Sequence, residues 1–221
     1  MLGTVASIGA FGLTLLFSHW EELSLADIGV VPRRWSVTRV AVGFLIGLVL
    51  AALQMALVAM AGHIHLIRPS GATFTPAIVN LSVYFVLACR EEVAFHGYPL
   101  RGLARVIGPW SAQLIVALVF AAEHVAGGVT WPHALLGAGV GSLLFGLVAL
   151  TTKGLAMPIG IHAAWNFGQW MLGAKGTSGL WQVVVDQGYE LRYERIGSLS
   201  YLVVMVSAIL AFLWYQRTNA E

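Results

Sequence analysis

Residues 38–61 read TRVAVGFLIGLVLAALQMALVAMA, and no charged side chain interrupts the run from Val40 to Ala61. A helix needs about 20 predominantly apolar residues to cross the hydrocarbon core of a bilayer, so this segment is expected to span a membrane. Working outward from it, further apolar segments occupy residues 2–18, 75–89 (extending toward 103), 111–127, 133–151, 155–174 and 198–215. Inside hydrocarbon the backbone must pair its own N–H and C=O groups, which makes helices the default for all seven. Pro32, Pro69, Pro109, the Gly127-Gly128 pair and Pro132 fall at the breaks, where helices stop or turn. The expected fold is all-α, a polytopic transmembrane bundle of about seven spanning helices, in one domain over residues 1–221. No internal repeat is visible.

Composition excludes a soluble alternative. Hydrophobic residues make up 58% of the 221 and charged residues 10%, against roughly 25% charged in an ordinary soluble domain. So few charges cannot coat a water-facing surface, and lipid is the expected surrounding. The net charge of +2 is small and scattered, which argues against a nucleic-acid partner. Cys89 is the single cysteine, so an internal disulfide and a multi-cysteine zinc site are both excluded. The N-terminal run lacks a basic n-region and is expected to open the membrane domain rather than to be a cleaved signal. In alternate loops, Arg33, Arg34, Arg39, Arg101, Arg105, Lys153 and Arg217 stand against Arg68, Lys175, Arg192 and Arg195. That excess orients the N-terminus outside and the C-terminus in the cytosol. Trp20, Trp35, Trp110, Trp131, Trp181 and Trp214, near segment ends, read as interfacial anchors.

An ionisable residue within an apolar helix costs roughly 2.5–3.5 kcal/mol on insertion scales, and persists where it pairs or has a task. Three clusters have this character. In the first, Arg90-Glu91-Glu92-Val93-Ala94-Phe95-His96-Gly97, Glu92 and His96 lie one helical turn apart and can hydrogen-bond, which leaves Glu91 free to face a cavity. A desolvated carboxylate is a better general base near neutral pH. In the second, Phe120 and His124 share a face, with Glu123 pointing elsewhere. In the third, His162 and Asn166 can project into one pocket. Taken singly, these clusters also fit a solvated helix end, a satisfied core histidine and helix–helix glue; their succession on three apolar helices is the stronger observation.

In order and spacing, Glu91-Glu92-x-x-x-His96, Phe120-x-x-x-His124 and His162-x-x-x-Asn166 resemble the three intramembrane motifs of the CPBP family (CAAX protease and bacteriocin-processing enzymes, also called ABI proteins). This family includes the type II CAAX prenyl proteases. Gly97-Tyr98 and Leu25-Ala26-Asp27-Ile28-Gly29 also look like it. One position departs, since His96 stands where the family has Arg. The resemblance implies an intramembrane endopeptidase acting on a membrane-associated peptide or protein, either a CAAX-type tail, prenylated or not, or a leader peptide. It further implies that Glu91 and His124 activate the water, that His162 and Asn166 stabilise the oxyanion, and that Glu92 with His96 orients the first motif. This glutamate scheme requires no cofactor. The other scheme places zinc on Glu91, His124 and His162, since two imidazoles and a carboxylate with an open position form a known catalytic set.

Two rival functions fit the same residues. One is a family-like membrane scaffold or immunity protein without catalysis, to which the His96 substitution points. The other is an ion-coupled transporter, because intramembrane Glu and His also build relays, although the paired halves common in transporters are not seen. Glu91 and His124 lie toward different ends of their segments. They meet only if the third segment runs on past Gly97 or the fourth past Gly127.

Overall fold

The computed structural model describes residues 2–69, 74–176 and 178–218. In chain order the elements are α1 (Leu2–Trp20), α2 (Ser36–Ala61), β1 (Ile64–Ile67), α3 (Thr75–Glu91), a π-helical turn (Glu92–Gly97) and α4 (Tyr98–Ile107). There follow α5 (Pro109–Ala126), α6 (Trp131–Ala134), a second π-helical turn (Leu135–Gly139), α7 (Val140–Thr151), α8 (Ala156–Met171), β2 (Gln182–Val185) and α9 (Glu190–Thr218). Each of the seven apolar segments lies on a helix, and the molecule is an all-α membrane bundle. Among the described residues, four helices are long and apolar enough to cross a membrane: α2, α5, the continuous α6–α7 rod (Trp131–Thr151) and α9. The expectation of seven spans is met by four on this criterion. The others are shorter or more polar: α3 and α8 have 17 and 16 residues and carry the polar motifs.

Backbone and side-chain contacts sort the loops into two ends. At one end the Leu155 N–H donates to the Gly29 carbonyl (3.2 Å), Arg39 to the Thr152 carbonyl (2.8 Å) and Arg101 to the Ala149 carbonyl (3.0 Å). At the other end β1 and β2 pair antiparallel, with Ile64 opposite Val185. His65 contacts Asp186 there at 3.0 Å, and Arg192 donates to the Ala61 carbonyl. This two-stranded ribbon departs from a purely helical expectation. Its strands are four residues each, too short for an alternation of side chains to be read in the sequence.

The tightest helix pair is α2 with α8, and its cause is a seam of small residues. Gly43 and Gly47 lie one turn apart on α2, while Gly160, Ala164 and Gly168 are spaced likewise on α8. A Cβ at Gly43 would run into the Met157 carbonyl, and one at Gly160 into the Val40 carbonyl. Without a hydrophobic driving force between helices in lipid, such close approach gathers dispersion contacts and drives association. Polar contacts reinforce the seam: Gln169 donates to Gln54 Oε1 (2.6 Å), and Gln54 donates to the Gly197 carbonyl of α9 (3.1 Å). Leu50, Ala51, Leu144, Phe145, Ile161, Trp165, Val204 and Met205 fill the space where α2, α7, α8 and α9 meet. Facing outward, Leu45, Val49 and Leu53 of α2 and Leu114 and Leu118 of α5 are at least half exposed, as lipid-facing residues would be.

The chain does not stop at Gly97. It passes through the first π turn into α4, so helix runs from Thr75 to Ile107. Pro99 has no N–H to donate, which breaks the regular i→i−4 ladder at this point, and Gly97 takes up the distortion with ψ of −111°. Turns of this kind are frequent at functional sites. Here one carries Glu92 and His96.

Candidate active site

Four elements deliver the acidic and imidazole groups: α3, the first π turn, α5 and α8. Glu91 ends α3, Glu92 opens the π turn, and His96 comes four residues later within it. Glu92 is fully buried and His96 nearly so. Each oxygen of the Glu92 carboxylate is engaged: Oε2 accepts from His96 Nδ1 and Oε1 from His162 Nδ1 of α8, both at 2.8 Å. An ionised carboxylate only accepts, so both imidazoles carry their proton on Nδ1. His96 Nε2 is then left to accept from the Ser142 hydroxyl of α7, at 2.9 Å. This closed, fully satisfied cluster ties the π turn to α7 and α8.

His162 is held further by its ring. It stacks on Phe145 with centroids 4.4 Å apart, and Phe120 meets it edge-on at 6.3 Å. With Nδ1 committed to Glu92, Nε2 faces Glu91 Oε2 at 3.5 Å. The other oxygen of Glu91 accepts from Arg90 at 2.6 Å, and Arg90 reaches Glu123 at 3.4 Å. Arg90 is thus the counterion of Glu91, while Arg101 is engaged elsewhere, on the Ala149 carbonyl.

His124 stands near the end of α5. Its Nδ1 donates to the Phe120 carbonyl one turn back, at 2.9 Å, and Glu123 lies 3.2 Å from the same nitrogen. A carbonyl only accepts, so Nδ1 bears the proton and a neutral His124 offers the lone pair of Nε2. Asn166, one turn beyond His162, accepts through Oδ1 from Lys175 at 2.6 Å.

A cavity of about 280 Å³ gathers these groups. Glu91, His124, His162 and Asn166 all line it, together with Phe120, Phe145, Trp165, Tyr84, Tyr201 and Lys175. Gly137, Ala138 and Gly141, in and beside the second π turn, form one wall, and their small side chains leave the volume open. The four residues expected to act therefore share one space, and the two expected to orient them lie buried beneath it. Ser142 and Lys175 were not singled out for the site by sequence. Ser142 is a small polar residue in an apolar helix, an ordinary packing choice, and Lys175 reads as a loop charge.

Among the described residues, no three His, Cys, Asp or Glu side chains are grouped so as to hold one metal ion. Glu91, His124 and His162 line the cavity without forming such a group in this arrangement.

Residues 73–168 match the family described as type II CAAX prenyl endopeptidase Rce1-like. The match takes in all three motifs, from Glu91 to Asn166, and supports a CAAX-protease-like family. No curated protein and no solved structure was found to match the chain.

Proposed function

We propose that this chain is an intramembrane endopeptidase that hydrolyses a peptide bond of a membrane-associated substrate by means of a glutamate-activated water. The observation that carries the reading is that Glu91, His124, His162 and Asn166, from three helices, line one cavity walled by apolar helices. The family match supports peptidase chemistry and a membrane-associated peptide as substrate.

In this scheme a water lies between Glu91 Oε2 and the Nε2 lone pair of His124. Glu91 takes a proton from the water, and the hydroxide attacks the scissile carbonyl carbon, moving the C=O pair onto oxygen. The oxyanion accepts from the Asn166 side-chain NH₂ and from His162 Nε2–H when that ring carries its second proton. Collapse of the intermediate breaks the C–N bond, and the proton held by Glu91 passes to the leaving amine. Arg90 keeps the Glu91 carboxylate in place, while Glu92 fixes the orientation of His162. No bound metal or other cofactor is needed for these steps. Donors fixed in advance around a developing charge supply much of the rate enhancement in such sites.

The surrounding lipid presents the substrate. With the end rich in Arg and Lys in the cytosol, the cavity, lined by His124, Asn166 and Lys175 toward the ends of α5 and α8, sits toward the opposite face. A leader peptide or another chain reaching the bilayer from that face is then the favoured substrate over a cytosolic prenylated tail.

Asn166→Ala tests the scheme in the purified, lipid-reconstituted protein acting on membrane-anchored peptides. Loss of one oxyanion donor lowers kcat by about 10²–10³-fold with little change in KM. Asn cannot relay protons by titrating, so this loss also separates a peptidase from an ion-coupled transporter. Turnover equal to that of the unmodified protein would contradict the scheme.

A further inference from the structure

Lys175 lies in the loop after α8, between Gly173 (φ +80°) and Gly176 (φ +86°). The loop is folded back on the helix end: the Ala174 N–H donates to the Gln169 carbonyl (2.9 Å), the Trp181 N–H to the Met171 carbonyl (3.0 Å) and the Trp170 indole to Ser178 Oγ (3.1 Å). Both glycines adopt the left-handed region that such a reversal requires. The result returns Lys175 toward the catalytic cavity. Its Nζ donates to Asn166 Oδ1 at 2.6 Å and stands 5.1 Å from the centre of the Tyr84 ring on α3.

A primary amide has an accepting end and a donating end, exchanged by a half-turn about its last bond. Only one of the two orientations offers NH₂ to a carbonyl in the cavity. An ammonium has donors and no acceptor, so Lys175 can hold Asn166 only by the oxygen. The negative face of the Tyr84 ring also attracts the ammonium. We infer that Lys175 is a positioning residue, which locks the Asn166 amide with its oxygen outward and its NH₂ turned to the reacting carbonyl. The inference rests on the endopeptidase reading, in which that NH₂ meets the oxyanion.

The test is a double-substitution cycle on the purified full chain in lipid, with thermal unfolding as the check on folding. Lys175→Met is expected to lower kcat about 10- to 100-fold, the scale of loss when a reacting group is displaced, and to leave KM within about twofold. Lys175→Arg, which keeps a donor-only cation, recovers part of the loss. In an Asn166→Ala background, Lys175→Met has no further effect. Full additivity of the two substitutions, or an unchanged kcat in Lys175→Met, overturns the inference.

A second measurement is independent of turnover. The chain has three asparagines, Asn80, Asn166 and Asn219, so selective ¹⁵N labelling gives a short set of side-chain NH₂ resonances. Lys175→Met is expected to move the Asn166 pair and leave that of Asn80 in place. An unmoved Asn166 resonance overturns the inference whether or not the protein turns over. A moved resonance in a protein without Glu91-dependent cleavage instead defeats the endopeptidase reading.

Discussion

Glu92 and His162 stand 70 residues apart in the chain and share a buried 2.8 Å hydrogen bond between Oε1 and Nδ1. Because the other oxygen of the same carboxylate holds His96, one side chain fixes the tautomers of two imidazoles and joins the π turn to α8. Glu92 thus has a supporting place beneath the cavity, and neighbouring Glu91 has the open one.

Replacing Glu92 therefore damages structure and site together. Glu92→Ala leaves two Nδ1–H donors in an apolar interior without an acceptor, at roughly 1–3 kcal/mol for an unsatisfied buried group. The variant should unfold at lower temperature and lose turnover as His162 is released. Ser142→Ala removes one neutral hydrogen bond to His96 and should cost about 1 kcal/mol, with most activity retained. Thermal unfolding in detergent, followed by circular dichroism, ranks the two.

His96, at the position where the resemblance implies Arg, is buried and bonded through both ring nitrogens. The ring is 1% exposed, and its Cδ2 lies 3.3 Å from where a Cβ on Gly146 would stand. His96→Arg adds length to a filled space, and overpacking of this kind costs typically 1–3 kcal/mol. Unfolding temperature should fall; a rise would mean that the family's Arg arrangement is still available to this chain.

The α2–α8 seam holds His162 and Asn166 at the cavity. Gly160→Val places side-chain atoms against the Val40 carbonyl and the Phe44 N–H and must move one helix off the other. Both stability and turnover should drop. Gly197→Ala is the control, since a Cβ there meets nothing within 4 Å; in the interior of α9 it should be neutral or stabilising by up to about 1 kcal/mol. Equal behaviour of the two variants in unfolding and turnover assays would rule out close packing as the reason for the glycine.

The proposed orientation is checked by single-cysteine labelling in a Cys89→Ala background. Cysteine at Ser178 should react with a membrane-impermeant maleimide on intact cells. Cysteine at Lys153 should react only after permeabilisation. The reverse pattern would place the cavity on the cytosolic face, where a prenylated cytosolic tail can reach it.

The helices were legible because lipid imposes a simple rule, and the runs around Leu50, Leu147 and Val204 obey it. The motif spacing marks Glu92 with His96, Phe120 with His124 and His162 with Asn166, since each pair sits one turn apart. Contacts between helices were not legible in this way. Nothing local marks His162 as the second partner of Glu92, or Lys175 as the partner of Asn166, because both are tertiary pairings across 70 and 9 residues. The π turn at Glu92–Gly97 depends on how Pro99 is accommodated, which apolar periodicity does not encode. Gly43 and Gly47, one turn apart in the quoted run itself, are a local signal of close helix packing.

The most direct test is Glu91→Gln, which keeps size and removes the base. Purified in lipid, the variant and the unmodified chain are compared for cleavage of a membrane-anchored peptide, with helix content and unfolding temperature measured on the same samples. Expected is a loss of about 10²–10⁴-fold in turnover, the usual worth of a general base, with the fold intact. A folded Glu91→Gln protein that cleaves within a few-fold of the unmodified chain would contradict glutamate-activated hydrolysis.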